Sequence, residues 1–218
     1  MGVLLMVLTI GGMIVAFISL LISIFAKKIW LRRFVLGAAA AWFVFYAILL
    51  LSSSLFSREK TLAANEPKAF CGFYIDCHLH AAVSDVRKTK TLGDKTAKGE
   101  FYTVKVKVFS DAKQATLGLL TVDARVVDDQ KREFARDLPA ESQLSEQPPF
   151  EWRISPVETF EKEIVFDLPV NIGNPRLDIR EGYGIDHAIE AVLIGDEDSI
   201  LHKRNYFKLE TSNQFAQN

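Results

Sequence analysis

From Val3 to Ala26 the chain runs for 24 residues without a charge, and from Phe34 to Leu51 for another 18. A helix rises about 1.5 Å per residue, so about 20 apolar residues cross a hydrocarbon layer about 30 Å thick. The second run reaches that length by continuing through Ser52, Ser53, Ser54, Leu55 and Phe56, since a serine hydroxyl can bond back to its own helix backbone. Between the runs stands Lys27-Lys28-Ile29-Trp30-Leu31-Arg32-Arg33, a connection that allows only two antiparallel neighbours. Residues 1–56 are therefore expected to form a transmembrane hairpin, with helices over about 3–26 and 34–56. Gly12, Ala16, Ser19 and Ser23 recur at helical spacing on the first run, and Gly37 to Ala41 give the second a small-residue surface suited to close packing. A cleaved signal peptide is disfavoured. The run lacks a charged leading region, exceeds the usual 7–15 apolar residues, and has no small-residue cleavage pattern before the lysines.

Charge sets the orientation and divides the chain. Residues 1–56 hold no Asp or Glu and four cations, Lys27, Lys28, Arg32 and Arg33. Removing those four from 26 Lys+Arg leaves 22 against 27 Asp+Glu in residues 57–218, a net of −5. Four cations in the connection against Arg58 and Lys60 on the far flank place the connection in the cytoplasm and both termini outside. The expected location is a multi-pass cell-membrane protein whose soluble part is extracytoplasmic. A mildly acidic soluble part lacks the basic face that neutralises phosphates, so no nucleic-acid partner is expected.

Beyond a linker at 57–69, read as a tether or short helical extension, the pattern changes to period two. Tyr102, Val104, Val106 and Val108 alternate with Thr103, Lys105 and Lys107, which marks a half-buried strand. Phe160, Ile164, Phe166 and Leu168 alternate with Glu161, Glu163 and Asp167, with Lys162 out of phase. Cys77, Leu79, Ala81 and Val83 alternate with His78, His80 and Ser84. Shorter strands are expected at Ala124–Val127, Arg132–Arg136, Arg176–Ile179, Ala188–Ile194 and Tyr206–Leu209. Turn chemistry separates them at 110–113, 128–131, 171–175 and 195–199. Residues 137–156, rich in Pro, Glu and Ser, read as a long loop. About eight short strands without an amphipathic helix predict an all-β antiparallel sandwich over 70–210, followed by a tail at 211–218.

The order F-Y-x-V-x-V-x-V (Phe101 to Val108), V-V-D-D-Q-K-R-E-F (Val126 to Phe134) and I-V-F-D-L-P (Ile164 to Pro169) resembles the telokin-like family. These are immunoglobulin-like sandwiches of bacterial secreted and membrane-anchored proteins. In them an early strand leads to a hairpin with an Asp-containing turn, and a later strand ends in a Phe-x-x-Pro signature that Phe166 to Pro169 matches. The resemblance spans roughly residues 70–210. It implies a fold and a compartment, and no enzymatic activity is established for the family. The blocks FCGFYIDCHLHAAV and LIGDEDSILHK lie outside the family's general pattern.

Three features could carry chemistry. Outside the cytoplasm a lone pair of cysteines, Cys71 and Cys77, suggests a disulfide. Six residues of extended chain would hold their Cα atoms about 20 Å apart, whereas a disulfide needs about 4.4–6.8 Å. The chain must reverse between them, for which Gly72 has the freedom. Two buried thiols are the alternative. The third reading is a metal or thiol-redox site: His78 and His80, two apart, would point to one side of a strand, and with Cys71 or Cys77 would form a nitrogen–sulfur set for copper or zinc. Cys77 should face away from His78, so such a site would need a bulge, or His187 or His202. Finally, Asp196, Glu197 and Asp198 crowd one turn. Calcium takes such oxygen ligands, although the D-x-[DN]-x-[DN]-G loop is absent and Asp198 could instead cap amides or pair with His202, Lys203 or Arg204. No G-x-S-x-G, P-loop, H-E-x-x-H or G-x-G-x-x-G occurs, and no two carboxylates stand out as a glycosidase pair.

The expected function is a non-catalytic binding or structural module at the cell envelope, with no catalytic residue and no cofactor. Its expected partners are the lipid bilayer and another envelope protein, met through loops at 85–99, 137–156 and 171–187. The alternative is a metal-binding or thiol-redox accessory centred on Cys71, Cys77, His78 and His80.

Overall fold

The computed structural model describes residues 2–72, 76–182 and 184–211. Two compact units emerge: Met1–Arg58 with Gly184–Arg204, and Glu59–Tyr183 with Asn205–Asn218.

The first unit is built on α1 (Gly2–Phe25) and α2 (Ile29–Phe56), both long and apolar enough to cross a membrane. Apolar side chains stand exposed around both helices, among them Val15, Phe17, Phe34 and Val44. Between the helices, Trp42 donates its indole N–H to Thr9 Oγ1 at 3.0 Å, and the Thr9 hydroxyl donates to the Leu5 carbonyl. The second helix begins five residues earlier than the charge pattern predicts. Lys27, at φ 51°, and extended Lys28 suffice to reverse the chain. Arg32 and Arg33 then join the helix.

Residues 184–204 belong to this unit. A strand is expected at Ala188–Ile194; instead α4 (Gly184–Glu190) is followed by turns. Short apolar runs do not separate the two periods, because four alternating residues also fit one helical turn and a half.

The second unit is a β-sandwich. One sheet has the order β1 (Lys60–Leu62), β9 (Asn205–Lys208), β8 (Arg176–Glu181), β5 (Val122–Val127), β6 (Glu133–Ala135). The other has the order β2 (Lys68–Gly72), β3 (Asp76–Leu92), β4 (Lys95–Ser110), β7 (Thr159–Leu168). All neighbours are antiparallel except β1 and β9. The expected linker thus contributes a strand, and β1 is paired residue for residue with Asn205, Tyr206 and Phe207.

The core lies where the alternation places it. Leu79, Ala81, Val83, Tyr102, Val104, Val106, Val108, Ile164, Phe166 and Leu168 meet Ala124, Val126, Leu177, Ile179 and Phe207 from the facing sheet. Lys162 sits on the inward row of β7. Its ammonium donates to the Pro148 carbonyl at 3.0 Å and lies over the Phe150 ring, and burial pulls its pKa down.

Two expected loops are not free. Residues 85–99 are mostly strand, a long β3–β4 hairpin that turns at Gly93 (φ 57°). Residues 137–156 carry a short helix, α3 (Leu138–Glu141), capped by Asp137, and cover both the outer face and the edge of β7. Ala140 packs with Ala97, Phe101 and Val165. Gln147 bonds both the amide and the carbonyl of Glu163, and Glu141 takes the Val165 amide. An exposed edge is a template for unwanted pairing, and this strap occupies it.

Candidate functional site

The most distinctive chemistry in the sandwich lies where β2 hands over to β3. Cys71 and Cys77 form a disulfide with Cα atoms 3.9 Å apart, so the chain reverses as the spacing demanded. Residues 73–75 lie outside the described residues. With both sulfurs bonded to each other, neither is a thiolate ligand, and a nitrogen–sulfur metal set using Cys71 or Cys77 does not form.

His78 and His80 do share a side of β3, since Leu79 and Ala81 between and after them are buried in the core. What they meet is Asp111. Leu79 pairs with Ser110 and His80 with Phe109, and this register carries Asp111 level with His78; the Asp111 amide donates to the His78 carbonyl at 3.0 Å. The Asp111 carboxylate is then clasped from two sides. His78 Nδ1 lies 2.7 Å from Oδ1, and His80 Nε2 lies 3.3 Å from Oδ2. The His78 hydrogen bond, helped by that of His80, holds the Asp111 carboxyl below the usual range against the opposing effect of desolvation. His80 also stacks on Phe109, with ring centroids 5.2 Å apart. Its side chain is 17% exposed against 56% for His78, so one imidazole is packed and the other open. The arrangement ties the disulfide-closed tip to β4 through a charge-assisted clasp. Sequence spacing could not have found Asp111, because only the hairpin register brings it to the histidines.

The acidic turn is accounted for by structure. Asp196 Oδ1 accepts the Asp198 amide at 2.9 Å, and Arg204 donates through two nitrogens to Asp198 Oδ1 at 2.8–2.9 Å. His187 Nδ1 lies 3.0 Å from Glu190 Oε2, one turn apart on α4. His187, Glu190 and Asp198 bring ligand-type atoms within 4.8 Å of one another, but the Arg204 guanidinium already supplies a positive charge to Asp198. Burial, reinforced by the Asp196 and Asp198 carboxylates, raises the Glu190 pKa despite the His187 hydrogen bond.

One further surface of the sandwich was not anticipated. The loops 111–121 and 148–158 run side by side, joined by the Leu117–Ile154 bridge, and they expose Leu120, Trp152 and Val157. Val157 is a β-branched residue held at φ 67°, a backbone state such residues rarely adopt.

No family model matches the chain, and no curated protein matches it. Among solved structures, it is similar to a conserved hypothetical protein from Bacillus anthracis, with a TM-score of 0.43 and 14% identity over 56% of this chain and 92% of that one. It is similar to the secreted protein MPT63 from Mycobacterium tuberculosis, with a TM-score of 0.39 and 13% identity over 60% and 92%. It is also similar to an uncharacterised β-sandwich protein from Clostridium difficile, with a TM-score of 0.37 and 12% identity over 71% and 96%.

Proposed function

We propose that this chain is a membrane-anchored module whose β-sandwich stands outside the cytoplasm and binds or braces another envelope protein without catalysing a reaction. The observation that carries the reading is the Cys71–Cys77 disulfide in a domain joined to two span-length apolar helices. Disulfides persist in oxidising compartments and are rare where glutathione keeps thiols reduced. The four cations around the helical turn favour a cytoplasmic turn and an external sandwich. The telokin-like assignment belongs to the same proposal and rests on the strand order and on Phe166 to Pro169. For the partner, exposed Trp152, in the loop pair that also exposes Leu120 and Val157, has the character of an interface anchor, because large rigid aromatics concentrate binding energy.

Cysteine accessibility in intact cells tests the compartment. The native disulfide is silent to maleimides, so Gln130→Cys on the sandwich and Lys27→Cys at the helical turn each report alone. Labelling of Gln130→Cys by a membrane-impermeant maleimide, with Lys27→Cys reacting only after permeabilisation, is the expected result; the reverse pattern overturns the proposal. A photo-crosslinker at Trp152 should capture an envelope protein, and an identical yield with the crosslinker moved to Gln130 would remove Trp152 as the anchor.

A further inference from the structure

We infer that residues 184–204 form a third membrane-contacting element, lying in the headgroup layer beside the helical hairpin with Val192, Ile200 and Leu201 immersed in lipid. The inference rests on the reading of α1 and α2 as membrane spans.

In sequence these residues interrupt the sandwich between β8 and β9, yet they are fastened to the helices. Tyr46 Oη donates to the Val192 carbonyl at 2.8 Å, the Ser54 and Ser199 hydroxyls lie 3.4 Å apart, and the Lys203 amide donates to Ser57 Oγ at 2.8 Å. From Tyr46 to the end of α2 at Phe56, just before Ser57, runs about 16 Å of helix. At the other helix, a Cβ on Gly2 would lie 2.2 Å from the Ile194 carbonyl oxygen, so the segment's backbone presses against the start of α1. Ser54 and Ser199 are buried by this contact.

Helix length fixes the depth. Counted from the Lys27–Lys28 turn, a hydrocarbon layer about 30 Å thick is used up after about 20 residues. That is near Leu5 on α1 and near Ile48 on α2. Gly2 and Tyr46, two places where the segment touches the helices, therefore lie at the far headgroup boundary. Tyrosine is enriched at that level because its ring is apolar and its hydroxyl polar. The last eight residues of α2 continue past the boundary, and Ser199 and Lys203 are fastened to that stretch.

The segment's own surface fits the place. Val192, Ile200 and Leu201 are 42%, 49% and 64% exposed, and the same segment carries the charged residues Asp196, Asp198, Lys203 and Arg204. Interfacial elements combine apolar and charged residues and bury the apolar ones about 5–10 Å deep. A second observation is independent of hydropathy. Leu201 stands at φ 64°, a costly state for a bulky residue, and its side chain gains no protein burial in return. Transfer of that side chain into lipid supplies the missing compensation.

The test uses the full chain with its native disulfide, reconstituted into vesicles of phosphatidylcholine and phosphatidylglycerol. Nitroxides are placed singly at Leu201→Cys, Ile200→Cys, Ile14→Cys and Gln130→Cys, and collision rates are measured with oxygen and with a water-soluble nickel chelate. The inference expects oxygen-to-nickel ratios at 200 and 201 several-fold above that at 130 and below that at 14. A ratio at both positions equal to that at 130, with 14 deep in lipid, overturns the inference and leaves the spans standing. Shielding of both positions from both quenchers also overturns it, because protein rather than lipid would then cover the face. Water accessibility at 14 would remove the spans themselves, and the inference with them.

Discussion

Replacing both cysteines with serine removes the bridge that closes the end of the β2–β3 hairpin. The ring from Cys71 to Cys77 is short, with a sequence separation of 6, so the chain entropy it withholds from the unfolded state is small. The loop-closure relation for about seven residues gives about 2 kcal/mol at 25 °C. For a domain of this size that corresponds to about 4–8 °C in Tm. The core beneath the tip should survive, because Phe70, Leu79 and Ala81 are buried by the facing sheet and not by the bridge. Thermal unfolding of the detergent-solubilised full chain, followed by its strand signal, should show a single transition moved down by that amount. Reduction of the natural chain should reproduce the shift and add about 2 Da to the intact mass. The reasoning fails if reduction changes neither mass nor Tm, which would mean the sulfurs are not joined. It fails equally if the double variant is unfolded, which would mean that the tip and not the apolar core holds the sandwich together.

The Asp111 carboxyl is held below its ordinary range by His78 and then His80, so its share of stability is present above about pH 3.9 and is lost as pH falls through the lower folded value. Carboxyl carbon shifts should show that late titration, and Asp111→Asn should move the His78 ring signals while leaving the core signals in place. Gly99→Ala would set a methyl group 1.9 Å from the Leu168 carbonyl oxygen, beside the Asp167 carboxylate that takes the amides of Lys98 and Gly99. A loss of about 2 kcal/mol or more is expected in urea unfolding, and an unchanged midpoint would contradict the close packing there. Gln147→Ala removes two hydrogen bonds from the β7 edge and should cost about 1–2 kcal/mol. The Glu163 amide should exchange faster, whereas Gln147→Glu, which keeps the acceptor and loses the donor, should fall between.

Period-two alternation made the inner faces of β4, β5 and β7 legible, because a sheet with one buried face must repeat every second residue. Lys162, the residue out of phase, is where a carbonyl and an aromatic ring from the strap meet a cation, a compensation with no local trace. The two helices were legible from the uncharged runs, and their turn was placed too wide because Arg32 and Arg33, read as loop, belong to the first turns of α2. Residues 184–204 were misread for a deeper reason. Their backbone and Ser199 are bonded to α2 and not to a sheet, and nothing in a strand-length window says which neighbour it will find. His78 and His80 were rightly put on one side of β3, while Asp111 depended on a pairing 33 residues long, set by hairpin register.

The parallel contact between β1 and β9 has a consequence for how this molecule can be taken apart. The chain passes between the two units three times, at 58–59, 183–184 and 204–205, so a single proteolytic nick after α2 severs one crossing and leaves two. Shedding of the whole sandwich would need all three crossings cut, two of them beyond β8. Synthesis meets the same topology in time: β1 leaves the ribosome early, and β9, its sheet neighbour, follows about 145 residues later. The sandwich therefore closes last at the edge nearest its tether, after residues 184–204 have been made.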